Sequence, residues 1–189
     1  MNYLAIDNET GGLSEGVSLL TSYFAVLDCN LNMMDELYLE VKPEDGIYHI
    51  EPQALEVNKI NLAIHDKTAE TRSTAGNKLF KFLRGNSQDG ANKLIPLGHN
   101  VIFDVISVHN ELLNRATFEK FTSYRKLDTA VIAQFLKLAG KIPDEVSGSL
   151  SSLAKFFGII AEAEHTAKGD VQTTIEVLKN LLRLIEEGR

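Results

Sequence analysis

The first forty residues alternate between apolar runs and turn signals. Tyr3-Leu4-Ala5-Ile6 reads as a short buried strand. Leu20 to Leu27 is a second apolar run, followed by the turn-prone Asp28-Cys29-Asn30-Leu31-Asn32. Leu37, Leu39 and Val41 then alternate with Tyr38, Glu40 and Lys42, the period of a half-buried strand, and Pro43 ends it. Three consecutive strands with tight connections predict an antiparallel meander.

Beyond residue 50 the apolar period lengthens to that of helices. Glu51-Pro52 opens a short helix through Val57, with proline tolerated in the first turn. Thr68 to Leu83 predicts a weak helix carrying Leu79, Phe80 and Leu83, and Gly85 to Gly90 a loop. Leu94-Ile95-Pro96-Leu97 reads as a strand in which Pro96 implies an edge or a bulge. A helix follows over Ile102 to Leu113, then a short strand over Tyr124 to Leu127, then a helix over Thr129 to Leu138. Ser149 caps a helix through Phe157 that Gly158 stops. In the last helix Val171, Ile175, Leu178, Leu182 and Ile185 form one predicted buried stripe. No internal repeat or long linker divides the chain, so residues 1–189 are expected to form one α/β domain.

Composition narrows the class. A hydrophobic share of 44% and a charged share of 24% are those of a globular protein. No run approaches the roughly 18 apolar residues of a membrane helix, and the start of the chain carries no basic region followed by an apolar core. Cys29 is alone, which excludes an internal disulfide and a cysteine metal cluster and fits a reducing, cytoplasmic setting. A net charge of −7 argues against a protein that coats nucleic acid electrostatically, though not against an enzyme that grips a nucleic-acid end through metal ions.

Three acidic clusters carry the candidate chemistry. Asp7 and Glu9 occupy alternate positions after the first apolar run, so in an extended backbone both point to one side. Paired anions repel, and a hard cation such as Mg²⁺ or Mn²⁺ between them relieves that repulsion. Gly11 and Gly12 follow and let a substrate backbone approach closely. The second cluster is "GHNVIFD", where His99, Asn100 and Phe103 accompany Asp104 at a helix start. The third is "EHTAKGD", which places His165 five residues before Asp170, beside the final helix. Each first-turn acid taken alone also suits the helix dipole, and a lone loop histidine is more often a surface residue.

Together, in this order, the clusters resemble the DEDDh exonucleases, the DnaQ-like group. "ALEVNKI", Ala54 to Ile60, is similar to that family's short helix beside the substrate terminus. "KLDTAVIAQ", Lys126 to Gln134, resembles its Asp-Thr helix start, and "LSSLAKFFGI", Leu150 to Ile159, its L-x-x-L-A-x-x-x-G-I segment. The resemblance runs from residue 3 to about residue 180. It implies a ribonuclease-H-like fold, a central mixed sheet flanked by helices, and a 3′–5′ exonuclease releasing nucleoside 5′-monophosphates.

By the same resemblance Asp7, Glu9, Asp104 and Asp170 would hold two divalent cations, Mg²⁺ or Mn²⁺, roughly 3.5–4 Å apart. His165 would deprotonate the attacking water. Thr10, Gly11 and Leu13 are expected around the terminal nucleotide, with Leu13 as an apolar wedge. Asn58 and Ile60 would line the substrate side, Phe103 would stack there or serve the core, and His99 and Asn100 would support the site rather than react. Asn58 stands where many proofreading relatives carry histidine, and Gly11 where a second threonine is usual, so substrate choice is left open by the motif. Single-stranded DNA ends are the favoured substrate, RNA the alternative within the same chemistry, and a non-catalytic nucleic-acid or polymerase-binding module the alternative outside it. The sequence carries no long tail after its last helix of the kind proofreading subunits use to reach a polymerase, and homodimers occur in the family; polymerase association and dimerisation stay undecided.

Overall fold

The computed structural model describes residues 1–160 and 165–186. The antiparallel meander is present: β1 (Tyr3–Thr10), β2 (Leu19–Leu27) and β3 (Met33–Lys42) pair in sequence order. β1 continues four residues past Ile6, where the apolar run stops. It does so because β2 keeps pairing with it, Asp7 opposite Tyr23 and Glu9 opposite Thr21, until a bulge at Glu9/Thr10. The acids therefore belong to the strand itself.

Two segments unreadable from periodicity follow the short helix α1 (Pro52–Asn58). They are α2 (Leu62–Thr68), capped by Asn61, and the two-residue β4 (Glu70–Thr71), which runs parallel to β3. The helix expected from Thr68 starts instead at Arg72, because Thr71 caps it, and α3 runs through Asn86 into the expected loop. β5 (Ile95–Gly98), α4 (Val101–Glu111), α5 (Arg115–Phe121), β6 (Leu127–Asp128), α6 (Thr129–Leu138), α7 (Leu150–Phe156) and α8 (Ala167–Glu186) complete the order. The strand expected over Tyr124 to Leu127 is confined to Leu127–Asp128.

The sheet order is β4-β3-β2-β1-β5-β6, with β1, β5 and β6 parallel. β5 is therefore internal, contrary to the edge position expected from Pro96. Ile95 donates its N–H towards β1, to the Asn2 carbonyl, so Pro96 turns its nitrogen to the other side. There the β6 register begins only at Leu97, and no ladder bond is lost.

The two faces of β1 separate by period two. Leu4 and Ile6 pack on the face covered by α3, α4 and α5, with Leu79, Leu83, Val101, Val105 and Phe118. Ala5 lies on the other face with Tyr23, Ala25 and Leu97, under Val171, Ile175 and Leu178 of α8. The predicted α8 stripe bends at its far end: Leu181 is buried, whereas Leu182 and Ile185 are each 43% exposed. There α8 leaves the sheet and packs on α6 and α7 through Val177 and Leu181, which turns the buried face. Among the described residues, no helix is long and apolar enough to cross a membrane.

Candidate active site

The acids meet at the carboxyl end of β1. Asp7 and Glu9 share the α8 face, and Asp170 comes down on them from the first turn of α8, which begins three residues before it. One carboxylate oxygen from each of Asp7, Glu9 and Asp170 lies within 4.8 Å of the others. Asp104 approaches from the opposite face. It is buried, and its Oδ1 accepts from the Asn8 backbone N–H at 3.0 Å.

Crowding shows in the protonation of these groups. Desolvation first, then the charges of Asp104, Asp170 and Glu9, pushes the Asp7 carboxyl well above the ordinary range. Glu9 is pushed up to about 7, by desolvation and then by Asp170. Asp104 is also raised, chiefly by burial, against the lowering effect of the Asn8 N–H. A group of oxygen donors that protonates sooner than sit charged together fits hard divalent cations, with no sulfur or imidazole to favour a softer metal. Asp7, Glu9 and Asp170 would hold such ions directly, with Asp104 beside Asp7.

Asn8, on the face of β1 opposite the two acids, fastens α4 to the strand. Its Nδ2 donates to the Asp104 carbonyl at 3.0 Å, and its Oδ1 accepts from the buried Ser22 hydroxyl at 2.6 Å. Asp128 holds the start of the same helix. Asn100, the residue before α4, adopts a left-handed backbone (φ 60°) and makes no side-chain cap. Asp128 caps in its place, accepting from the N–H groups of Asn100 at 3.1 Å and Val101 at 3.0 Å, and from Ala130 at 2.9 Å at the start of α6. One carboxylate thus caps two helices. His99 Nδ1 lies 2.9 Å from the Thr129 hydroxyl, and that hydroxyl donates to the Gly98 carbonyl. His99 and Asn100 are part of this scaffold.

Next to the acids a cavity of 320 Å³ opens between the β1 end and α1. Asn8, Glu9, Thr10, Gly12, Leu13, Glu51, Val57, Asn58 and Phe103 are among its walls. Thr10, Leu13, Asn58 and Phe103 are thereby brought to one space. Gly11 and Ile60 do not line it. Gly11 is buried, and a Cβ there would collide with the His49 carbonyl. Ile60 donates its N–H to Asn58 Oδ1, while Asn58 Nδ2 donates to the Thr10 carbonyl at 3.3 Å. Asn58 therefore braces the wall as much as it forms it.

Glu51 fixes the loop that carries Leu13. It accepts from the backbone N–H of Leu13 at 3.1 Å and of Ser14 at 3.2 Å, and from the Ser14 hydroxyl. Leu13 itself stands 82% exposed at the rim. A second cavity of 450 Å³, walled by Ser14, Glu15, Ser107, Asn110 and Glu111 among others, shares Thr10, Leu13 and Phe103 with the first. Leu13 and Phe103 form the ridge between them.

His165 lies two residues before α8, exposed and with a left-handed backbone (φ 60°). It shares a cavity of 200 Å³ with Asp170, Thr173 and the α7 residues Leu150, Ser151 and Ala154. Glu164, which opens the third motif, lies outside the described residues.

Asn8 is not a site candidate in the sequence, and Glu51 and Asp128 are read there only as helix starts. A polar Asn8 at the core-facing position of an apolar strand is a signal, because a buried amide requires partners. Glu51 gave none, since its partners lie 37 and 38 residues away.

No protein-family model and no curated protein matches the chain. Solved structures do. E. coli Exonuclease I in complex with a dT13 oligonucleotide superposes with a TM-score of 0.73 at 18% identity, over 98% of this chain and 43% of that one. A zinc-bound form of the E. coli protein with single-stranded DNA gives 0.73 at 19% identity, over 98% and 42%. Exonuclease I from Methylocaldum szegediense gives 0.75 at 18% identity, over 96% and 40%. The chain thus spans less than half the length of these neighbours. The resemblance to the DEDDh exonucleases read from the sequence is matched in three dimensions at the level of the fold: this chain has the ribonuclease-H-like architecture of Exonuclease I.

Proposed function

We propose that this chain is a divalent-metal-dependent 3′–5′ exonuclease that removes nucleoside 5′-monophosphates from the end of single-stranded DNA. The observation that carries the reading is the convergence of Asp7, Glu9 and Asp170, with Asp104 acting electrostatically on Asp7, from three separate stretches of sequence. The neighbours' complexes with DNA oligonucleotides support the choice of substrate.

Asp7, Glu9 and Asp170 would hold divalent ions such as Mg²⁺ or Mn²⁺, with Asp104 completing the acidic set beside Asp7. When bound, such ions supply charge stabilisation to the phosphate and to the leaving 3′ oxygen. His165, beside Asp170 at the mouth of its cavity, accepts the proton of the attacking water, a task suited to imidazole near neutral pH. The bond between phosphorus and the 3′ oxygen then breaks. Thr10 and Phe103 receive the terminal nucleotide in the 320 Å³ cavity, and Leu13 at the ridge separates it from its neighbour.

The test uses labelled single-stranded DNA, single-stranded RNA and duplex DNA with Mn²⁺ or Mg²⁺. Stepwise shortening of single-stranded DNA from its 3′ end is expected, with a fall of at least about 10²–10³-fold in Asp7→Ala. Cleavage of RNA alone would turn the reading to an exoribonuclease. Undiminished cleavage by Asp7→Ala would assign the activity to a contaminant.

A further inference from the structure

We infer that Lys168, Glu36 and Tyr23 form a tether that sets the position of Asp170, so that the fourth acid depends on a contact made on a distant strand. The inference deepens the proposed function and rests on it for its kinetic consequence only.

Two rungs of the sheet place the participants. Asp7 pairs with Tyr23 on β2, and the next rung on the same face joins Ala5, Ala25 and Glu36 of β3. Strand side chains at alternate positions share a face, so Asp7, Tyr23 and Glu36 all point towards α8. Tyr23 is wholly buried there, and its hydroxyl donates to the Glu36 carboxylate. Burial first, then Glu36, drives the phenol pKa upward, and the same hydrogen bond leads the causes that lower Glu36. Glu36 is therefore an anion with a permanent donor.

Lys168, in the first turn of α8, completes the arrangement. Its Nζ lies 3.2 and 3.1 Å from the two Glu36 oxygens and 5.3 Å from the centre of the Tyr23 ring. Carboxylate and ring hold one ammonium from two directions. Two residues later the same turn delivers Asp170 to Asp7 and Glu9. The connections close a ring: Asp7 to Tyr23 across the sheet, Tyr23 to Glu36, Glu36 to Lys168, and Lys168 through two residues of α8 to Asp170, which meets Asp7.

The physical reason such a tether matters is the repulsion already described. Without a cation in place, Asp170 is pushed away from Asp7 and Glu9, and α8's first turn is where that push acts. Lys168 directs its ammonium at Glu36. An exposed ion pair adds little to global stability, so the tether's effect is local position.

Lys168→Met, Glu36→Gln and the swapped Glu36→Lys/Lys168→Glu protein test it, read by thermal melting, backbone amide exchange, Mn²⁺ calorimetry and steady-state kinetics. Each single variant is expected to exchange faster at Gly169 to Val171, bind Mn²⁺ several-fold more weakly and lose kcat several-fold, with KM and melting temperature nearly unchanged. The swap is expected to recover at least half of each loss. Singles indistinguishable from the parent, a swap no better than the singles, or melting temperatures that fall in step with kcat would overturn the tether. Should the parent protein shorten no nucleic acid, the exonuclease reading fails, while amide exchange and Mn²⁺ binding still decide the tether.

Discussion

Asp104 and Asp170 reach one acidic cluster from opposite faces of the sheet, and the helices that bring them are held by different physics. α4 is docked by buried hydrogen bonds: Asn8 grips both the side chain and the backbone of Asp104, and Asp128 caps the helix start. α8 is held along its length by apolar packing, but its acid-bearing turn is tied by an ion pair whose side chains are each 47% exposed. One half of the site is fixed by groups that cost energy if left unpaired. The other half is fixed by groups that water can satisfy. Metal and substrate binding should therefore move α8's first turn more readily than α4's.

The largest effect that sharpens this contrast is expected from Asn8→Ala. The substitution strands the Ser22 hydroxyl in the core, at about 1–3 kcal/mol, and removes a buried hydrogen bond to the Asp104 carbonyl, which keeps its partner within α4, at about 0.5–1.5 kcal/mol. A total of about 3 kcal/mol corresponds, for a chain of this size, to a melting temperature lowered by about 6–12 °C. Lys168→Met, at the opposite helix, should shift it by no more than about 2 °C. Calorimetric melting of the two variants side by side checks the pair. Equal losses would erase the distinction between the helices.

The next effect follows from the raised carboxyls. A carboxyl whose folded pKa exceeds its unfolded one binds its proton more tightly in the folded state. Its contribution is complete below the unfolded value, 4.5 for Glu9, and is lost as pH rises through about 7. The metal-free protein should thus lose stability across that window. Mn²⁺ at about a hundred times its Kd should return about 2.7 kcal/mol at pH 8, and less at pH 5, where protons compete for the same oxygens. In Asp170→Asn the second cause of the Glu9 shift is gone, so the pH slope should flatten. Melting curves with and without Mn²⁺ at both pH values measure it, and a metal shift independent of pH would contradict the clustering.

What the sequence made legible follows the same division. The meander, the α4, α6 and α8 helices and the three acidic motifs were readable because period and cap residues are local signals. Pro96 misled because its missing donor faces a gap in the β6 ladder, a property of the neighbouring strand. The α8 stripe was misplaced after Leu178 because α8 changes partners from the sheet to α6 and α7, which no single-helix period encodes. At the site, the acids could be named but not their supports. Asn8, Glu51 and the Lys168 tether act on residues 14 to 132 positions away, and nothing in their immediate sequence announces those partners.

The smallest effect concerns Asn100, where scaffold and substrate roles separate cleanly. Its left-handed backbone suits asparagine and glycine, and its side chain caps nothing, since Asp128 does that work. Asn100→Gly should leave both melting temperature and kcat/KM within about twofold-equivalent limits, under about 0.5 kcal/mol. Asn100→Ala, which keeps a Cβ in the left-handed region, should cost about 1 kcal/mol of stability with kcat/KM unchanged at permissive temperature. If Asn100→Gly instead lost tenfold or more in kcat/KM while melting normally, the amide would be touching substrate. α4 would then contribute recognition as well as rigidity, and the contrast with α8 would have to be redrawn as one between two binding surfaces.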